Sequence, residues 1–244
     1  MRADLYLVEH GHFDTRARAQ AAIAAGKVSA NGVVVTKPSQ KIADGAEIVA
    51  EAAHPWVSRA ALKLVAGLDA FGVDPADRVC LDVGASTGGF TEVLLSRGAR
   101  HVYAVDVGRD QLHPSLQADR RVTSLEATDA RSLAAEVFSE PPSLVVCDAS
   151  FISLLKVIAR PLALSAPSAT LMALIKPQFE VGKALIGKGG LVKDVQARDD
   201  AVAAVRAGLE GLEGFSVGAI IDSPIDGGDG NKEYLIAANR SIQG

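Results

Sequence analysis

The sequence predicts an α/β protein: a doubly wound, mostly parallel sheet closed by an antiparallel pair, with a small α+β module in front of it. Three observations predict it. First, an apolar run at Val79–Val83 breaks into Gly84-Ala85-Ser86-Thr87-Gly88-Gly89 and restarts as an apolar-periodic helix through Phe90, Val93, Leu94 and Leu95. Strand, glycine turn and helix form the first unit of a nucleotide-type site. Second, short apolar runs then alternate with helix-length segments to the end of the chain. Third, the last two runs, 217–221 and 233–237, are joined by a loop too short for a crossover helix, so they must lie antiparallel.

The whole chain sets bounds. Its 244 residues hold one large domain and a small module. A composition of 48% hydrophobic and 22% charged residues is globular and can bury a sizeable core. The net charge of −4 gives no global basic signal, so a nucleic-acid partner has to be held by local patches. Cys80 and Cys147, the two cysteines, fall in apolar strands and read as free thiols in a reducing cytoplasm. The N-terminus carries no apolar signal core. No run reaches the ~18 apolar residues of a membrane helix. A cytoplasmic protein with no membrane segment and no metal is expected.

In chain order, residues 1–53 read as the small module. A short helix begins at Leu5, Leu7 and Val8. Asp14-Thr15 caps a second, 16–25, closed by Gly26. Asn31-Gly32 is a hairpin turn pair between Val28-Ser29-Ala30 and Val33-Val34-Val35. Residues 54–57 are the linker, where Trp56 packs either between domains or as plain core. From 58 to 244 runs the large domain. Ser58 caps a helix over 59–71, with Arg59 and Lys63 four apart on one face. Strands are expected at 79–83, 102–106, 122–125, 144–148 and 171–175, and helices at 88–96, 152–164 and 194–212.

The chemistry-bearing residues gather at strand ends, where ligands bind in such sheets. Asp82 stands immediately before the glycine turn. It would repel a pyrophosphate and welcome a cationic ligand, such as the ammonium and sulfonium of S-adenosylmethionine. Asp106 ends the second strand, about 20 residues past the turn, and is either the acid that meets a ribose diol or a simple strand-end acid. Asp129 is placed either to accept from an adenine amino group or to cap a helix. Asp148 and Lys176 close the fourth and fifth strands. A lysine directly after an apolar strand needs a partner, and the two residues could be a simple ion pair. The glycine-rich tract 182–190, with Lys183 and Lys188, is either a cover for RNA phosphates or a flexible surface loop.

These features resemble known families. The sheet with its antiparallel end resembles the class I methyltransferase fold. Lys63, Asp148, Lys176 and Glu233 match the Lys-Asp-Lys-Glu set of the FtsJ-like ribose 2′-O-methyltransferases. The segments Val57-Ser58-Arg59-Ala60-Ala61-Leu62-Lys63-Leu64, Asp148-Ala149-Ser150-Phe151-Ile152-Ser153-Leu154, Lys176-Pro177-Gln178-Phe179-Glu180, Gly187-Lys188-Gly189-Gly190 and Gly230-Asn231-Lys232-Glu233-Tyr234 are similar, in order, to the TlyA family, also called hemolysin A. The module resembles the alpha-L RNA-binding module of a small-subunit ribosomal protein, which grips RNA phosphates and shape rather than bases.

The resemblance implies S-adenosylmethionine as cofactor and ribosomal RNA, or ribosomal subunits, as partner, with a cytidine ribose 2′-hydroxyl as the methyl acceptor. It implies Lys63, Asp148, Lys176 and Glu233 as catalytic. Asp82, Gly84, Ser86, Thr87, Gly88, Gly89, Phe90, Asp106 and Asp129 would hold the cofactor, and Arg16, Arg18, Lys27, Arg59 and Lys188 the RNA. Lys176 would meet the hydroxyl, as a neutral base or as a cation beside the alkoxide. Asp148 would orient it, Lys63 hold substrate or tune it, and Glu233 tether a lysine. Ala60 and Ala61 replace glycines common in the family. The loop 223–230 carries Asp226 and Asp229, unusual for a loop expected to approach RNA. The rival readings are a non-enzymatic RNA-binding or ribosome-assembly factor, a pore-forming hemolysin, and a small-molecule methyltransferase with no use for residues 1–53.

Overall fold

The computed structural model describes residues 1–241. It divides into two units, Met1–Pro55 and Trp56–Gly244, at a point inside the stretch read as a linker.

In the first unit, α1 (Ala3–Glu9) and α2 (Arg16–Ala24) share a core with a three-stranded antiparallel sheet of β1 (Val28–Ala30), β2 (Val33–Val34) and β3 (Ile48–Ala50), ordered β2-β1-β3. Thr15 caps α2 by accepting from Arg18 N. Asn31 and Gly32 both take positive φ, 50° and 76°, the backbone that a two-residue hairpin turn needs. Leu7, Phe13, Ile23, Val28, Val35 and Ile42 fill the core. The acid Asp4 is fully buried at its edge. It accepts from Arg2, from Arg16 at 2.9 Å, from Gln20 at 2.9 Å and from Leu5 N at 3.1 Å. These donors, Arg2 foremost, hold its carboxyl well below the usual range.

The second unit opens with α3 (Ala61–Phe71) and then alternates: β4 (Val79–Val83), α4 (Gly89–Ser96), β5 (His101–Val105), α5 (Pro114–Gln117), β6 (Val122–Leu125), β7 (Leu144–Cys147), α6 (Leu154–Ala163), β8 (Ser168–Ile175), α7 (Pro177–Glu180), α8 (Val195–Glu210), β9 (Phe215–Asp222) and β10 (Tyr234–Ser241). The seven strands order as β6-β5-β4-β7-β8-β10-β9, parallel except for β10, which is antiparallel to both its neighbours. This is the class I methyltransferase arrangement expected from the short last loop. Both faces are covered, so central strands are apolar throughout: Leu81 and Val83 point into one core with α6 and α8, Cys80 into the other with α3 and α4. Trp56 packs on the core of its own unit.

Several boundaries differ from the sequence reading. Strands β5 and β7 stop one residue early, which leaves Asp106 and Asp148 in the loops beyond the sheet edge. Helix α3 begins two residues late. Ser58 accepts from Ala60 N in a turn leading into the helix, and Arg59 therefore stands before the helix rather than on a face shared with Lys63. Two 3-10 turns, Ala130–Ser132 and Ala135–Val137, make the connection from β6 to β7.

Two topological facts position the site. Strand order reverses beside β4, so a crevice opens at the carboxyl ends of β4 and β7. Inserting β10 antiparallel to β8 pairs Tyr234 with Ile175 and sets Glu233 next to Lys176.

Replacing Asp4 by Ala is expected to destabilise the first unit by about 3 kcal/mol, because Arg2, Arg16 and Gln20 lose a shared buried acceptor. Urea unfolding of the full chain, read by a probe in residues 1–55, measures it. A loss under roughly 0.5 kcal/mol would show that these donors are satisfied by water.

Candidate active site

At the carboxyl edge of the sheet four charged side chains form one row. Lys176 Nζ donates to the Asp148 carbonyl oxygen at 3.0 Å and to Ser150 Oγ at 2.9 Å, and lies 2.7 Å from Asp148 Oδ1. That last contact is an ion-pair approach outside hydrogen-bond angles, since Oδ1 has no hydrogen-bond partner. Lys63 Nζ lies 3.6 Å from Asp148 Oδ2 and donates to Glu233 Oε2 at 2.5 Å. The order is cation, anion, cation, anion, and the formal charges cancel. Lys63, Lys176 and Glu233 are buried, and Asp148 is 12% exposed at its side chain. Lys176 is thus packed among partners rather than standing in a solvent-filled cleft.

Backbone chemistry seats the row. Glu180 caps α6, accepting from Leu154 N at 2.7 Å, and so fixes the loop that carries Asp148 and Ser150. Gly227 lies so close to Glu233 that a Cβ there would sit 2.5 Å from Oε1. Asn231, also buried, clamps the tract after Lys188: its Oδ1 accepts from Val192 N at 3.0 Å and its Nδ2 donates to Gly190 O at 2.9 Å. Within the tract 182–190, Lys183–Leu185 forms a 3-10 turn, Gly189 interrupts the second turn at φ +77°, and Asn231 holds the end of the tract at Gly190.

Two adjoining cavities meet at the row. The larger, about 1030 Å³, is lined by Gly84, Ser86, Asp106, Asp129, Ile152 and Lys183 among others. The smaller, about 330 Å³, contains Lys63, Asp148, Lys176 and Glu233 with Thr87, Gly89 and Phe90. Gly84, Ser86, Asp148, Ser150, Phe151, Gln178 and Phe179 border both. Gly84 has φ +82° and a Cβ there would meet Ala149 Cα at 2.9 Å, so the two strand ends approach as only glycine permits. Asp106 accepts from Ser86 N at 2.8 Å and Gly108 N at 2.7 Å, tying the glycine turn to the next loop while facing the cavity.

Some expected roles are corrected by position. Asp82 is fully buried and lines neither cavity. Its Oδ2 accepts from Thr91 Oγ1 at 2.7 Å and its Oδ1 has no partner. It supports the turn from beneath. Gly88 lines neither cavity, and its missing Cβ makes room for Leu112 and Leu116. Asp129 lines the larger cavity, but its carboxylate caps a 3-10 turn through Arg131 N and pairs with the Arg131 side chain at 2.6 Å.

The cations read as RNA ligands divide. Arg16 is engaged with buried Asp4, Arg18 with Asp14 at 3.4 Å, and Lys27 with Glu51 at 3.0 Å. Arg59 lines neither cavity, but its guanidinium lies beside Gly228, which lines the smaller one. Lys188 is exposed and lines neither cavity, whereas Lys183 and Lys156 line the larger one.

Sequence reasoning missed three features. Glu126 collects the backbone N–H of Asp110, Gln111 and Leu112 and shapes the cavity rim, with no local sequence signal. Gln178 Oε1 is buried without a donor. Phe151 is 91% exposed with φ +66°, a conformation rare for a side-chain residue, and tilts over Phe179 at 5.3 Å. Its place in Asp148-Ala149-Ser150-Phe151 was visible; its exposure was not. Among the described residues no three metal-ligating side chains cluster, and no helix is long and apolar enough to cross a membrane.

The chain is similar to known proteins along its whole length. The model of FtsJ-like methyltransferases matches residues 56–240, and that of the S4 domain residues 1–48. The chain is 46% identical to the 16S/23S rRNA (cytidine-2′-O)-methyltransferase TlyA of Mycobacterium tuberculosis, over 96% of this chain and 88% of that protein. It is 40% identical to hemolysin A of Brachyspira hyodysenteriae, over 96% of this chain and 98% of that protein. A solved structure from Streptococcus thermophilus, provisionally described as a hemolysin, matches with a TM-score of 0.78 and 38% identity, covering 100% of this chain and 89% of its own.

Burial pushes the Asp82 carboxyl up to about 7, with the Thr91 hydrogen bond opposing and Asp148 and Asp106 adding. From the unfolded value of about 3.9 up to that point, the native state keeps a proton that the unfolded chain releases. The contribution is complete below the unfolded value and is lost as pH rises through about 7. Urea unfolding at a pH of about 5.5 and about 8.5 should show a drop on the order of 2 kcal/mol, reduced in Asp82→Asn, which keeps an acceptor for Thr91. An identical drop in Asp82→Asn would assign it to another group.

Proposed function

This chain belongs to the FtsJ-like methyltransferase family, and we propose that it moves a methyl group from S-adenosylmethionine to the ribose 2′-hydroxyl of cytidine in ribosomal RNA. The observation that carries the reading is the buried Lys176–Asp148–Lys63–Glu233 row, open on one side to a 330 Å³ cavity and flanked by a second cavity at the glycine turn. The row is more than a fold needs, because a buried row of charges stabilises little by itself.

The larger cavity fits the cofactor. Val83, Val105, Val107, Ala130, Ile152 and Val157 would give apolar walls for an adenine, and Asp106 would accept from a ribose diol. Asp129, which also lines this cavity, would offer its remaining acceptor capacity to the adenine amino group. Asp148, at the border of both cavities, brings negative charge towards a sulfonium. S-adenosylmethionine supplies a methyl carried on that sulfonium and already activated for displacement.

What remains for the protein is alignment and proton removal. Lys176 is surrounded by acceptors, namely the Asp148 carbonyl, the Asp148 carboxylate and the Ser150 hydroxyl. That environment suits an ammonium, and favours the cationic role over the neutral base. The hydroxyl oxygen accepts from Lys176, its proton points at Asp148, and its free lone pair is left to face the methyl. The hydroxyl proton would leave to the Asp148 side and Lys176 would hold the charge developing on oxygen while the methyl passed from sulfur to oxygen. Lys63, bridging Asp148 and Glu233, keeps the carboxylate in place.

The RNA side rests on three supports. The S4 match covers the first unit. Lys156 and Lys183 line the larger cavity, and Arg59 lies beside Gly228 of the smaller one. Phe151 exposes an aromatic face on which an unstacked base can rest. A ribosomal substrate puts the reaction in the cytoplasm.

Lys176→Ala is expected to keep cofactor affinity, since neither the glycine turn nor Asp106 is touched, and to lose methyl transfer by about 10² or more. It should also cost roughly 3 kcal/mol of stability, because the row is left with a net negative charge. Lys176→Arg should not restore transfer, its planar fork having a different reach. Single-turnover methylation of unmodified ribosomal subunits, beside a calorimetric cofactor titration, measures both. Near-parental transfer by Lys176→Ala overturns the mechanism.

A further inference from the structure

The acid-rich loop before Glu233 has no part in methyl transfer as derived, yet one of its carboxylates lies in the catalytic cavity. Asp226 is engaged with Lys232 at 2.8 Å. Asp229 takes part in none of the ion pairs found among the described residues. It is exposed, and it lines the smaller cavity with Lys63, Lys176, Phe151 and Gln178. An ionised carboxylate can only accept hydrogen bonds, and beside a polyanion it is repelled unless a donor meets it. One carboxylate outside every ion pair among the described residues, Asp229, therefore lines the cavity that holds Lys176. A target ribose placed at Lys176 carries its base, attached one carbon from the reacting position, into that space.

We propose that Asp229 reads the target base by accepting a hydrogen bond from an exocyclic amine, and so makes the site select cytosine over uracil. The inference rests on the ribose-methyltransferase reading. Cytosine presents an amine at the ring position where uracil presents a carbonyl oxygen. The amine has two hydrogens, one of which Asp229 would accept. The uracil oxygen would face the carboxylate acceptor to acceptor. A hydrogen bond to an ionised acceptor is among the stronger kinds, and a site built to bond a substrate group rejects the analogue that lacks it. This gives the loop's negative charge a use at the point where charge alone would weaken RNA binding.

The test uses the full chain and its Asp229→Ala and Asp229→Asn variants with labelled S-adenosylmethionine. The substrates are ribosomal subunits carrying the mapped target nucleotide as cytidine or as uridine. Asp229→Ala should lower kcat/KM on cytidine about tenfold and change it on uridine less than about twofold, so that the preference collapses. Asp229→Asn, whose amide can donate to the uracil oxygen, should raise the uridine rate. Cofactor affinity, by calorimetry, should be that of the parent. An unchanged cytidine-to-uridine ratio in Asp229→Ala overturns the inference, whether the two rates hold, rise together or fall together. A parent chain that methylates cytidine while the ratio stays fixed overturns this inference alone. A parent that methylates no ribose overturns the functional reading and this inference with it.

Discussion

The alternating row Lys176–Asp148–Lys63–Glu233 is the constraint around which the larger unit is arranged. Four charges with side chains 3–12% exposed would be ruinous as single ions. Together they are neutral, and every inner member touches opposite charge on both sides. At an effective dielectric of ~20 each close contact is worth about 4 kcal/mol of attraction, comparable with the desolvation it has to offset. The row therefore adds little net stability while making each member hard to remove singly. Such a set holds its geometry well, and geometry is what a displacement reaction between a hydroxyl and an activated methyl requires.

The four members come from four places: helix α3, the loop after β7, the residue after β8 and the residue before β10. Only one strand order brings them together. A parallel last strand would put its beginning at the opposite edge of the sheet and carry Glu233 away from Lys176. The antiparallel pairing of Tyr234 with Ile175 puts it at the carboxyl edge. Gly227 then leaves room for its carboxylate, and Glu180 fixes the loop that presents Asp148. The end of the sheet and the row of charges are the same feature seen at two scales.

This is also why much of the architecture was legible in the sequence. A loop of eleven residues between two apolar runs forces antiparallel pairing by length alone, and the glycine turn after Val83 marks the crevice. The four catalytic candidates were found by family resemblance, and the structure brings all four within one cavity. Asp82 was misplaced because a carboxylate before a turn reads the same whether it faces the ligand or lies beneath it; the alternation of β4 points it inwards to Thr91. Gly88 was misplaced for a related reason. A glycine that admits a ligand and one that admits Leu112 and Leu116 carry the same letter. Glu126 and Asn231 act on backbone groups 14 to 16 and 39 to 41 residues away, separations at which no spacing rule operates.

The basic residues of the first unit show a further limit of reading charge from sequence. Arg16, Arg18 and Lys27 each have an acid partner, but the three pairs are not equivalent. Lys27 and Glu51 are both largely exposed, at 50% and 66%. Such a pair is worth about 0–1 kcal/mol, so a phosphate can displace the carboxylate at little cost. Arg18 and Asp14, 26% and 75% exposed and 3.4 Å apart, make a longer and only half-exposed pair that is also weak. Arg16 differs because its partner, Asp4, is wholly buried and shared with Arg2 and Gln20. Withdrawing Arg16 to meet RNA would leave a buried carboxylate short of a donor. Its exposed guanidinium edge can meet a phosphate only while it stays bound to Asp4. Lys27 and Arg18 are thus free to exchange partners, whereas Arg16 is an anchor whose charge is already committed to the fold.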